Sequence, residues 1–96
     1  MTHSRYLRFT FLKQDYAIPL LDLQDVVADP RSGCGTLIFA GEAGDPVRFA
    51  VEHIHSVVVP SLSQVSVDGW LLLSDRKIQL VTPSLLDEWQ RRGRAA

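Results

Sequence analysis

Short runs of alternating apolar and polar residues, cut every few positions by turn formers, dominate this chain and favour β-strands over long helices. Leu7, Phe9 and Phe11 alternate with Arg8 and Thr10, the period of a strand with one buried face. Lys13-Gln14-Asp15 makes a polar turn before Tyr16, Ile18 and Leu20 resume the alternation, so these two runs are expected to form a hairpin. Pro19 has no amide to donate, which places the second run at a sheet edge or ends it there. Thr36 to Ala40 reads as a short apolar strand, Gly41 to Pro46 as a tight connection, and Val47, Phe49 and Val51 as the partner strand. Ile54, Val57 and Val59 carry extended character on to Pro60. Ser61 to Ser66 is polar and irregular. A third hairpin joins Trp70 to Leu73 with Ile78, Leu80 and Val81 across Ser74 to Lys77.

Helical signals are brief. Leu20, Leu23, Val26 and Val27 recur at helical spacing with Asp22, Gln24 and Asp25 between them. They predict one or two turns of amphipathic helix over Leu21 to Val27, too short to stand without packing. Thr82 is a good N-cap and Pro83 a good first helical residue, and Leu85, Leu86 and Trp89 then share one face. Arg91 to Ala96 reads as a basic, frayed tail. Ala28 to Gly35 (ADPRSGCG) is a loop by composition. The expected fold is mainly β: a small barrel or curved antiparallel sheet with one short internal helix and a C-terminal helix.

With 96 residues the chain has material for a single domain and one core. Ten basic residues against eleven acidic ones give a net charge of −1, which argues against a dedicated nucleic-acid binder relying on excess Lys and Arg. Cys34 has no second cysteine to pair with, so a reducing cytoplasm fits best. Arg5, Arg8 and Lys13 interrupt the apolar residues near the N-terminus, leaving no signal-peptide core. No apolar stretch approaches the roughly 18 residues of a membrane span.

Catalytic patterns are weak. His53 and His55 point to one face of a strand, but no further ligand stands at a recognisable metal spacing, and two surface or edge histidines explain them as well. Cys34, between two glycines, has no evident base partner. Ser32 and Ser63 lack the Gly-x-Ser-x-Gly setting of a hydrolase elbow. The glycines at 33, 35, 41 and 44 match neither a P-loop nor a dinucleotide fingerprint. Glu52 and Asp68 are isolated carboxylates. The expectation is a protein that is not an enzyme and carries no cofactor or metal.

Apolar residues are more informative. Phe9, Phe11, Phe39 and Phe49 fit a core. Leu20, Leu21, Leu23, Val26 and Val27 exceed what one stripe of a short helix needs, and Val57 to Val59 and Trp70 to Leu73 are rich on both faces. Either a compact barrel covers both faces of these segments, or some of them form a partner surface.

Several motifs in order resemble CheW-like adaptor domains of bacterial chemosensory arrays. Phe9 to Val27 is similar to the family's opening: a strand ending in Phe, a turn, Tyr16-Ala17-Ile18, then Leu23-Gln24-Asp25-Val26 where Val-x-Glu-Ile is usual. Phe49-Ala50-Val51-Glu52-His53-Ile54 is similar to the family's Val-Val-Asp-x-Val segment, with Val57 for the valine that follows. Gly69-Trp70 through Leu80-Val81 resembles the closing hairpin, and Leu85-Leu86 the terminal helix. The resemblance implies paired SH3-like barrels and a cytoplasmic, non-catalytic adaptor. Its implied partners are a methyl-accepting chemoreceptor and, further, a CheA-like histidine kinase or another CheW-like protein. Leu23, Val26 and Val27 with Val57 and Val58 are the expected contact residues, and Gln24 and Asp25 the orienting rim.

The chain departs from that pattern at Ala28 to Gly35. The family carries there an Asn-Leu-Arg-Gly-like turn and a Pro-Val-Val-Asp-Leu-like strand, and ADPRSGCG supplies neither. A truncated barrel and weakened kinase coupling follow as expectations, since the Arg of that turn belongs to the kinase-associated surface. The competing class is a different small barrel that binds a peptide or single-stranded nucleic acid. A homodimer paired through exposed strand edges is a further alternative.

Overall fold

The computed structural model describes residues 4–41 and 43–95, the last three by backbone alone. Among the described residues eight strands and one α-helix follow one another: β1 (Tyr6–Phe11), β2 (Gln14–Pro19), β3 (Asp25–Ala28), β4 (Gly35–Ala40), β5 (Pro46–Val51), β6 (His53–Val58), β7 (Trp70–Leu72), β8 (Lys77–Leu80) and α1 (Pro83–Ala95). The fold is mainly β, as expected, and it is built from two sheets. One has five strands in the order β6-β1-β2-β8-β7, the other three in the order β3-β4-β5.

The alternation of the sequence decides which side chains meet. Leu7 and Phe9 of β1, Tyr16 and Ile18 of β2, Leu37 and Phe39 of β4, and Phe49 and Val51 of β5 point into one core. Each such burial stabilises the fold by about 1.5–3 kcal/mol. α1 closes this core. The Leu85 amide donates to the Thr82 hydroxyl at 3.3 Å, the capping that the Thr-Pro sequence predicts, and Leu85, Leu86 and Trp89 pack inward. Ala17, Leu71 and Ile78 form a smaller cluster with Tyr6, Val58, Val65 and Leu80 beside them.

Three hairpins form where expected: β1–β2, β4–β5 and β7–β8. Pro19 ends β2 rather than marking an edge, because β2 lies between β1 and β8 in the sheet. The turn of the first hairpin differs from expectation. Phe11 pairs with Gln14, so the loop is Leu12-Lys13 alone, with φ of 50° and 66°. Positive φ at both positions is the geometry of a type I′ turn, normally filled by Asn-Gly.

The predicted helix over Leu21 to Val27 is corrected. Only Leu20–Asp22 is helical, as one 3₁₀ turn, and β3 begins at Asp25 and pairs antiparallel with β4. Extended backbone wins because it sets Val26 opposite Leu37, which in turn faces Phe49, so a valine joins the core that a helix would have turned away. At the other end α1 continues to Ala95, through the segment read as a frayed tail. Ala96 lies outside the described residues, as does Glu42 of the Gly41 to Pro46 connection.

Two features join the sheets. Glu52 is the single residue between β5 and β6, and its amide donates to the Thr10 carbonyl at 3.0 Å, so one bent strand passes from the smaller sheet to the larger. The loop from Asp29 to Cys34 is folded tightly. The Asp29 carboxylate accepts the Arg31 amide at 2.9 Å and the Ser32 hydroxyl at 3.1 Å. The Asp29 amide donates to the Cys34 carbonyl at 2.8 Å, and the Gly33 carbonyl accepts the Ile54 amide at 3.1 Å. A Cβ on Gly33 would lie 2.5 Å from the His53 ring. The stretch read as a loop by composition is thus a hairpin turn pinned to β6.

Candidate functional site

The polar cluster nearest to chemistry spans three strands and the β7–β8 turn. Thr10 on β1 donates its hydroxyl to Asp15 on β2 at 2.8 Å and sits 2.8 Å from His55 Nε2 on β6. With the Thr10 proton given to Asp15, His55 must carry its proton on Nε2 to complete that bond. Arg76 reaches the other Asp15 oxygen at 3.1 Å, and the His53 and His55 rings meet edge to face with centroids 4.8 Å apart.

Electrostatics sort the charges in this cluster. The Thr10 hydrogen bond, helped by His55 and Arg76, holds the Asp15 carboxyl below the usual carboxylate range despite partial burial. Burial, then the neighbouring His53, pushes His55 below the usual histidine range, although Asp15 pulls the other way. The cluster therefore rests as a carboxylate beside a neutral imidazole. A triad would need one imidazole nitrogen on the hydroxyl and the other on the carboxylate. Here Nε2 faces both, at 2.8 Å and 3.8 Å, so the arrangement orders the sheet surface rather than activating Thr10. Among the described residues no group of three or more His, Cys, Asp or Glu is placed to hold a metal ion, and no helix is long and apolar enough to cross a membrane.

The residues expected to contact a partner fall into two environments. Leu23 and Val26 are half-buried and pack against the main core, and Val58 packs against the smaller cluster. Val27 and Val57 are exposed, at 53% and 46%. Val27 lines an open cleft of about 550 Å³ with Phe11, Ala28, Thr36 and Ala50. Val57 stands on β6, and Val59 two residues on is exposed as well. Val27 stands on a strand of the smaller sheet and Val57 on one of the larger, so the first element of the expected helix-plus-strand surface is itself a strand. Gln24 and Asp25 are exposed. Asp25 turns its carboxylate onto the Val26 amide at 2.8 Å, occupying a donor of this edge strand.

A second apolar surface has no counterpart among the sequence-based expectations. Phe11, Leu12, Tyr16, Trp89 and Arg92 line a cleft of about 510 Å³ between the β1–β2 turn and α1. Phe11 stacks on Trp89 with centroids 5.9 Å apart and planes within 8°, and Tyr16 meets the same indole at 5.2 Å. Leu12 stands 70% exposed beside them. The one available signal was negative: a two-residue turn lacking Gly or Asn.

No protein-family model matches the chain, and no curated protein matches it either.

Proposed function

We propose that this protein is a non-catalytic adaptor of a bacterial chemosensory complex, which binds a methyl-accepting chemoreceptor through exposed valines on β3 and β6. The order of CheW-like motifs along the chain supports this reading, and so does the mainly β fold that the resemblance implies. The observation that carries it is the exposure of the large apolar side chains Val27 on β3, Val57 on β6 and Val59 just after it. Apolar side chains held on a rigid strand lose little entropy on docking and suit a central contact. Leu23 and Val26 then support the surface from beneath, and the carboxylate of Asp25 blunts the β3 edge. Kinase coupling is expected to be weak, since the Arg-bearing turn of the family has no counterpart in the loop from Asp29 to Cys34.

The test uses the cytoplasmic fragment of a chemoreceptor and calorimetric titration. Val27→Asp and Val57→Asp change exposed positions, so both variants should fold. Val26→Asp would bury a charge and is uninformative. Loss of at least about tenfold in affinity with either exposed variant supports the surface. Receptor binding that is undiminished in both, or absent from the unmodified protein, overturns the proposal.

A further inference from the structure

We infer that the cleft between the β1–β2 turn and α1 is a separate docking site, one for a short protein segment carrying a bulky apolar residue next to a carboxylate. Leu12 and Lys13 both hold left-handed backbone, at φ of 50° and 66°, where a bulky L-residue is disfavoured by about 1–2 kcal/mol. Asn-Gly would remove that strain, so packing within the domain does not account for Leu12, which is 70% exposed. Strain held at an exposed position is characteristic of a contact surface. The leucine projects at the rim of a cleft floored by Phe11, Tyr16 and Trp89, which accepts an apolar side chain.

Charge selects the partner. Among the described residues, Arg92 is the one charged group in the cleft lining. It gives one guanidinium nitrogen to Glu88, and its side chain is 74% exposed, so further donors of the planar fork face solvent and suit a carboxylate. Lys13 lies in the adjoining turn outside the cleft lining, where its amide donates to the Glu52 carboxylate at 3.2 Å, so the carboxylate partner is selected by Arg92. This surface shares Phe11 with the cleft beside Val27 but contains none of the valines proposed above, and it does not rest on the chemoreceptor assignment.

The probe is a short peptide with the central sequence Leu-Phe-Glu, titrated into isotope-labelled protein and followed by amide shifts. Controls replace the centre by Leu-Phe-Lys or Ser-Ser-Glu. Saturable shifts are expected at Leu12, Lys13 and the Trp89 indole, with each control at least about tenfold weaker. The double variant L12N/K13G relieves the strain while removing the apolar side chain and one cation, so it should be folded and at least about tenfold weaker for the peptide. R92Q should bring Leu-Phe-Glu down to the level of Leu-Phe-Lys. Undiminished binding to folded L12N/K13G, equal binding of the Leu-Phe-Lys peptide, shifts centred on Val27 or Val57, or no shifts at millimolar peptide would each overturn the assignment.

Discussion

Replacing Leu12-Lys13 by Asn-Gly should make this domain more stable, and the structure sets the size of the gain. Both residues sit at positive φ in a loop of two residues. Gly at position 13 relieves about 1–2 kcal/mol of left-handed strain, offset by roughly 0.5–1 kcal/mol for the greater freedom of its unfolded chain. Asn at position 12 tolerates the region better than leucine. Little packing is forfeited, because Leu12 is 70% exposed and its remaining burial contributes less than about 1 kcal/mol. The net expectation is about 1 kcal/mol of added stability, which for a domain of this size raises Tm by about 4–8 °C. Thermal and urea unfolding of the double variant measure it. Leu12→Val provides the opposite arm, since a β-branched side chain fits this region worse and should lower Tm. An unchanged or lowered Tm for L12N/K13G, or a raised one for Leu12→Val, would refute the claim that the turn is strained.

Other consequences are open to measurement. Gly35→Ala would place a Cβ 2.1 Å from Ile54 Cδ1 and 2.8 Å from the Val27 carbonyl. That should destabilise by about 1–3 kcal/mol in denaturant titrations, with Ile54→Ala restoring only part because the carbonyl cannot withdraw. Asp25→Ala frees the Val26 amide on the β3 edge, so light scattering across a concentration series should show more association than in the parent protein. Stability should fall with acid in two windows. His55 is depressed, so the folded state takes up its proton later than the unfolded chain, and stability drops as pH falls below about 6.5. Asp15 is also depressed, and its contribution is lost as pH falls below about 3.8 through its folded value. His55→Gln should flatten the upper window and Asp15→Asn the lower, read from urea midpoints against pH.

What could be read in the sequence was what neighbouring residues decide together. The alternation of Leu7, Phe9, Tyr16 and Ile18, the breaks between β4 and β5 and between β7 and β8, and the Thr82-Pro83 helix start are local signals, and the strands and helix they delimit formed. β3 was hidden because Leu20, Leu23, Val26 and Val27 fit helical spacing equally well. Only the pairing of Val26 with Leu37 resolves the ambiguity, and that pairing lies outside the segment itself. The parallel pairing of Tyr16 and Ala17 with Gln79 and Leu80 joins distant parts of the chain, so no window of sequence contains it. For the candidate site the apolar excess was legible but its direction was not. Leu23 and Val26 look as available as Val27 until the backbone assigns their faces. The cleft beside Leu12 gave no positive pattern, because the turn uses residues that statistics disfavour.

The clasp at the β3–β4 turn also makes the domain a ready host. The chain leaves at Asp29 and re-enters at Cys34 through a 2.8 Å hydrogen bond between those two residues, while Gly33 anchors the return path to β6. Pro30, Arg31 and Ser32 between them are exposed, and lengthening a closed excursion costs only about 0.6 kcal/mol per doubling. Pro30, Arg31 and Ser32 can therefore be exchanged for a guest domain whose own ends lie close together, with the eight strands beneath undisturbed.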